Sequence, residues 1–84
     1  MTELQEAYLD ELKSKEKITI TEHIELFNKY CDLVFEQEKY SGSDSHKAKV
    51  MSEYYIVNAL SKFVDNEAII DRVVGQRESS PRVI

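Results

Sequence analysis

The sequence predicts an all-α fold, a small bundle of three main helices plus a short fourth helix and a C-terminal tail. Three observations support this prediction. Apolar residues recur at helical spacing in four segments, helix-capping side chains precede each segment, and only one short stretch alternates like a β-strand. With 84 residues, the chain is long enough for one domain. We expect this domain to span residues 1–75 and the tail to span residues 76–84.

The first helix is predicted to begin after Thr2 and to end at about Glu16. Thr2 and Gln5 have the spacing of a capping box, in which the hydroxyl and the glutamine side chain each bond the other residue's amide. The apolar residues fall in an arc of about 140°. They are Leu4, Tyr8, Leu9 and Leu12. We therefore expect an amphipathic helix with one face on the core.

The second helix is predicted to begin near residues 20–22 and to end at about Lys39. Thr19 and Glu22 repeat the capping-box spacing. Residues 17–21 alternate and are β-branched, but no second strand is available to pair with them, so we interpret them as a connector. The apolar arc of the helix covers about 200°, wider than a usual stripe. We therefore expect this helix to contact two neighbours.

The third helix is predicted over residues 46–64, after a polar loop in which Asp44 or Ser45 is the cap. Its large apolar residues predict a broad core face. This face consists of Val50, Tyr54, Ile56, Val57, Leu60, Phe63 and Val64. Further apolar residues occupy the other side of the helix, so the helix is either central in the bundle or bound to an external partner.

A second apolar strip on the third helix is the predicted partner-binding site. It consists of Ala48, Met51, Tyr54, Tyr55 and Ala59. Tyrosine and methionine are enriched at the centres of protein interfaces because they contribute large contact areas. The alternative is that the other helices wrap the third helix completely, in which case the strip belongs to the core.

The fourth helix is predicted to be short, capped by Asn66 and ended by Gly75 in the left-handed conformation. The following tail has no periodicity, and two hypotheses for it stay open. It frays into solvent, or it docks on the same or a neighbouring subunit. In the docking hypothesis the tail contacts come from Arg77, Arg82, Val83 and Ile84.

Charge is distributed unevenly along a chain whose net charge is −5. Residues 1–42 carry ten acidic and five basic residues, and residues 43–84 carry six of each. An acidic surface repels phosphate backbones and anionic lipids. We therefore expect no membrane binding, and the composition does not favour nucleic acid as a partner. The single cysteine and the charged segment after Met1 favour a cytoplasmic protein.

The residues that most often form chemical sites favour structural roles here. His23 and Cys31 lie on one side of the second helix, but the spacings of known zinc sites are missing. Cys31 lies mid-helix on an apolar face beside Asp32, which favours a buried thiol over a nucleophile. No phosphate-binding glycine loop is present. We expect no enzyme activity, no metal or other cofactor and no small-molecule substrate.

The sequence therefore predicts a small acidic protein that acts by binding another protein or itself, as a homodimer or other homo-oligomer. Its size, acidity and lack of catalytic motifs are similar in type to accessory proteins of bacteriophages and mobile elements. That similarity implies an alternative, an inhibitor of a host protein whose acidic face imitates nucleic acid. A second alternative is a helical nucleic-acid-binding regulator that uses the C-terminal arginines.

Overall fold

The structure is a computed structural model that describes residues 2–79, with side chains as far as residue 76. Within this part the chain forms four α-helices and no strand. They are α1 (Glu3–Lys13), α2 (Ile20–Tyr40), α3 (Ser45–Phe63) and α4 (Glu67–Ser79). The predicted all-α bundle is confirmed. Of the alternating segment, residues 17–19 lie in the connector and residues 20–21 begin α2.

Capping boxes begin α1 and α2, as predicted. The Thr2 hydroxyl accepts from the Gln5 amide at 3.2 Å, and Gln5 Oε1 accepts from the Thr2 amide at 2.7 Å. The Thr19 hydroxyl accepts from the Glu22 amide at 3.1 Å, and Glu22 Oε1 accepts from the Thr19 amide at 3.2 Å. Each box satisfies two amides that have no partner inside the helix. Local sequence therefore determines where both helices begin.

Single capping side chains begin the other two helices. Asp44 Oδ1 accepts from the Lys47 amide at 2.8 Å, which selects Asp44 over Ser45 as the cap of α3. Asn66 Oδ1 accepts from the Ala68 amide at 3.0 Å at the start of α4. Short oxygen-bearing side chains are preferred at this position because they reach amides two or three residues ahead.

The core lies around α2, which packs against each of the other three helices. Sequence patterning predicted two neighbours for this helix. The buried core cluster consists of Tyr8, Leu12, Leu26, Phe27, Tyr30, Cys31, Val34, Ile56, Ala59, Leu60 and Val73. Cys31 is fully buried, as predicted. The core therefore takes side chains from all four helices.

The predicted core face of α3 is confirmed in part, because Ile56 and Leu60 are fully buried. Val50 and Tyr54 were expected inside, but they are 53% and 63% exposed. The residues that α3 buries are Ala48, Ser52, Ile56, Ala59 and Leu60. This direction differs from the predicted one by roughly a quarter of a turn. The physical reason is size, because small side chains at a contact let helices approach more closely than large ones.

Gln5 ties α1 to α3 in addition to its role in the capping box. Its side chain is 6% exposed, and its Nε2 donates to the Tyr55 carbonyl oxygen at 2.9 Å. Both ends of the amide are therefore used, one within α1 and one across the helix interface. This satisfies a polar group whose burial would otherwise be costly.

One of the two glycines ends a helix and the other lies within one. Gly42 has a φ of 105° and follows α2, where its amide donates to the Lys39 carbonyl at 3.1 Å. The next amide, from Ser43, donates to Glu38, which completes a Schellman motif. Gly75 was predicted to end α4, but this is wrong because α4 continues through it to Ser79. The predicted boundary between domain and tail therefore falls inside α4.

Alanine substitutions at the two glycines should have opposite effects on stability. Apart from its own helix turn, no atom of the described residues lies within 4 Å of a Cβ added at Gly75, so Gly75→Ala should raise the free energy of unfolding by roughly 0.5–1 kcal/mol through helix propensity. Gly42→Ala should lower it by roughly 1–2 kcal/mol because its positive φ disfavours a Cβ. Urea unfolding followed by circular dichroism measures both. A destabilising Gly75→Ala would contradict the continuous helix.

An isosteric exchange tests the second hydrogen bond of Gln5. Gln5→Glu keeps the capping acceptor but places a carboxylate oxygen against the Tyr55 carbonyl, so stability should fall by roughly 1–3 kcal/mol. Glu22→Gln is the matched control in the other capping box, where the side chain pairs with exposed Lys15 at 3.3 Å in addition to its bonds with Thr19. Its effect should stay below about 1 kcal/mol. Equal effects in urea unfolding would show that the tertiary bond contributes nothing.

Candidate functional site

The predicted partner-binding strip on α3 does not form one exposed surface. Ala48 and Ala59 are 0% exposed, so the expectation that they face a partner is wrong. Met51 and Tyr55 are partly buried, and Tyr55 also packs against the core cluster. Tyr54 is the member that faces solvent, with 63% exposure. The alternative of core burial therefore holds for the two alanines, and the accessible part of the strip centres on Tyr54.

The outward face of α3 combines residues from both predicted faces. Val50 and Tyr54 are four residues apart, so their side chains are neighbours on one side of the helix. Both are more than half exposed. The Tyr54 and Tyr55 rings lie 6.0 Å apart between centroids and are tilted by 55°. An apolar ridge therefore runs along α3, and we call Val50 and Tyr54 the α3 ridge.

A cleft of about 410 Å³ lies beside the α3 ridge, at the start of α1. It is lined by Thr2, Gln5, Tyr54, Tyr55, Asn58 and Lys62. Because both ends of the Gln5 amide are already bonded, the polar groups left for a partner include the Asn58 amide and the Lys62 ammonium. This arrangement suits recognition and offers no activated nucleophile. Within the described residues, no cluster of three or more His, Cys, Asp or Glu side chains could hold a metal ion.

A second cleft, of about 260 Å³, lies between the start of α2 and the start of α4. It is lined by Ile18, Ile20, His23, Ala68, Ile69 and Arg72. His23, which lines this cleft, is 6% exposed. Ile18 and His23 occupy the two positions of a hydrophobic staple around the Thr19 cap. This spacing is visible in the sequence, and it places the two residues next to each other. The α4 side of the cleft had no such signal.

Burial determines the charge state of His23. It lowers the pKa of the imidazole below its ordinary value, and the nearby Glu22 carboxylate opposes this effect. The Nδ1 atom is buried and has no hydrogen-bond partner among the described residues. His23 is therefore neutral at neutral pH.

Tyr8 and Tyr30 are both buried in the core. Their rings lie 5.3 Å apart between centroids. Burial raises the pKa of Tyr8, whose hydroxyl has no partner within the described residues. Burial and the Glu11 carboxylate raise the pKa of Tyr30 to about 12. In turn, the Tyr30 hydroxyl, helped by Lys29, lowers the pKa of Glu11. None of these groups is poised to exchange protons near neutral pH.

The predicted tail contacts lie outside the described part of the chain. Arg82, Val83 and Ile84 follow its last residue, and the side chain of Arg77 is beyond the last described side chain. Docking of the tail therefore stays a prediction.

Comparisons with known proteins found no relative to guide the interpretation. No protein-family model, curated protein or solved structure is significantly similar to the chain. None of the described helices combines the length and apolar character needed to cross a bilayer.

The pH dependence of stability should report the burial of His23. Its folded-state pKa lies below the ordinary value of 6.5, so the unfolded chain takes up a proton more readily. The free energy of unfolding should therefore fall as the pH drops through 6.5 toward the folded-state pKa. Glu11 and Glu22 contribute only at lower pH, because their pKa values lie below 4.5.

Urea unfolding between about pH 8 and pH 5.5 measures this loss. His23→Gln should flatten the pH dependence in that range. His46→Gln is the matched control, because His46 is the other histidine and is exposed on α3. If His46→Gln flattened the profile as much as His23→Gln, burial of His23 would not be the cause.

Proposed function

We propose that this protein is a non-catalytic interaction module of the cytoplasm that binds another protein, or a second copy of itself, through the α3 ridge. The observation that carries the proposal is the exposure of Val50 and Tyr54, 53% and 63%, on one side of α3. Large apolar side chains grouped on a surface are typical of interaction sites, whereas single ones are common everywhere.

The neighbouring cleft gives the α3 ridge the composition of an interface. Interfaces combine an apolar or aromatic centre with a polar rim, and tyrosine is enriched at their centres. Here the Tyr54 and Tyr55 rings adjoin the Asn58 amide and the Lys62 ammonium across the same cleft. A partner that covers the ridge would contact both kinds of group.

The alternatives have less support from the described surface. A nucleic-acid-binding helix would carry several cations toward the groove, whereas the α3 ridge consists of a valine and a tyrosine. Imitation of nucleic acid would use the acidic side chains of α1 and α2. A salt titration distinguishes these modes of binding. Binding to phosphates, or binding of an acidic surface that imitates them, weakens steeply as the salt concentration rises, whereas binding through an apolar contact does not.

Site-specific crosslinking tests the proposal. The photoreactive amino acid p-benzoylphenylalanine, placed at position 54, should form a covalent adduct with a protein in the native cell. An adduct of twice the 9.8 kDa chain mass would identify a second copy, and another mass would identify a different partner. Adding Val50→Glu should abolish the adduct, because a charge would be buried at the interface without a partner.

Position 40 provides the matched control. Tyr40 is 95% exposed at the end of α2, outside the α3 ridge. The same photoreactive residue there should give no comparable adduct, which controls for reaction with any exposed position. Equal adducts at positions 40 and 54, or none at position 54, would contradict binding through the ridge.

A further inference from the structure

The cleft between α2 and α4 has the features of a small-molecule binding site. Three isoleucines that line it, Ile18, Ile20 and Ile69, are each only partly buried. Their exposed surface lies in one concavity of about 260 Å³. That volume is slightly below the range of about 300–1,000 Å³ typical of sites for drug-sized ligands. An occupant would be a small organic molecule with an apolar body.

Arg72 gives the cleft a positive charge, which favours an anionic ligand. Its side chain lines the cleft and forms no ion pair with any described side chain, unlike Lys15 and Lys29, which pair with glutamates. A guanidinium binds a carboxylate through two parallel hydrogen bonds. The cation therefore complements an anionic group held beside the apolar wall.

We propose that this cleft binds a small carboxylic acid with a branched apolar body, the carboxylate on Arg72 and the body against the three isoleucines. The inference is independent of the α3 ridge, since no residue that lines this cleft belongs to α3. His23 completes the wall on the α2 side. Because its imidazole is neutral, it adds no charge that would oppose the apolar body.

Nuclear magnetic resonance titration of the ¹⁵N-labelled full chain with 4-methylpentanoate tests the proposal. We expect saturable shifts at the amides of Ile18, Ile20, His23, Ala68, Ile69 and Arg72. Two related probes isolate the contributions of charge and apolar body. The neutral 4-methylpentanamide keeps the body without the charge, and acetate keeps the charge without the body. Each should bind about tenfold more weakly or worse.

Variants locate the site. Arg72→Gln should weaken 4-methylpentanoate binding about tenfold or more, and the fold should persist because Arg72 is exposed. Lys62→Gln is the matched control, since Lys62 is an exposed cation in the cleft beside α1. It should leave the affinity unchanged. Ala68→Phe should block binding by filling the cleft, because Ala68 is exposed and lines it.

The ionisation of His23 gives a second readout. The Glu22 carboxylate acts on its pKa, Lys15 pairs with Glu22, and Arg72 lines the same cleft. A bound carboxylate adds negative charge and favours the imidazolium, so 4-methylpentanoate should raise the pKa of His23 and the amide should not. Binding should consequently strengthen as the pH falls toward the pKa of His23.

Several results would overturn the proposal. They are shifts that do not saturate, equal binding of the amide and the acid, and unchanged affinity in Arg72→Gln. Shifts confined to the cleft beside α1 would also overturn it. Saturable binding that depends on the carboxylate, the apolar body and Arg72 together would support it.

Discussion

The burial of small side chains on α3 determines which face this helix presents to solvent. Ala48, Ser52 and Ala59 are 0% exposed, and a helix that turns such a stripe inward can bring its neighbours close. Because side chains around a helix keep fixed angles, this orientation places Val50 and Tyr54 outside. The hydrogen bond from Gln5 to the α3 backbone then holds α1 against the same helix. The exposure of the α3 ridge is therefore a consequence of core packing.

Local patterns predicted the helices well, because the interactions that begin a helix span only three residues. The Thr2 and Thr19 capping boxes are examples. The orientation of α3 could not be predicted in the same way. Hydrophobic periodicity predicts that large apolar residues are buried, whereas the helix interface buries Ala48 and Ser52 because they are small. The hydrogen bond from Gln5 to the Tyr55 carbonyl could not be predicted either, because it joins residues 50 positions apart in the sequence.

The candidate sites were only partly predictable for the same reason. Tyr54 belonged to the predicted partner strip and is exposed, but Ala48 and Ala59 of that strip are in the core. The second cleft combines a connector, the first turn of α2 and the first turns of α4, and no spacing in the sequence relates α4 to the other two segments. The continuation of α4 through Gly75 also went against a local signal. A glycine costs a helix only about 1 kcal/mol, and helix-forming residues follow it.

The position of α4 depends on fewer buried contacts than that of α2 or α3. Val73 is its buried core residue among the described side chains, and Ile69 and Ile70 are partly exposed. The Asn66 cap stabilises the helix locally but does not attach it to the bundle. A domain of this size has a net stability of roughly 4–13 kcal/mol, so one further apolar contact between α2 and α4 is a substantial addition. A ligand between Ile20 and Ile69 would supply such a contact and would stabilise the folded chain through binding. The cleft thus lies beside the helix that has the fewest buried side chains among the described residues.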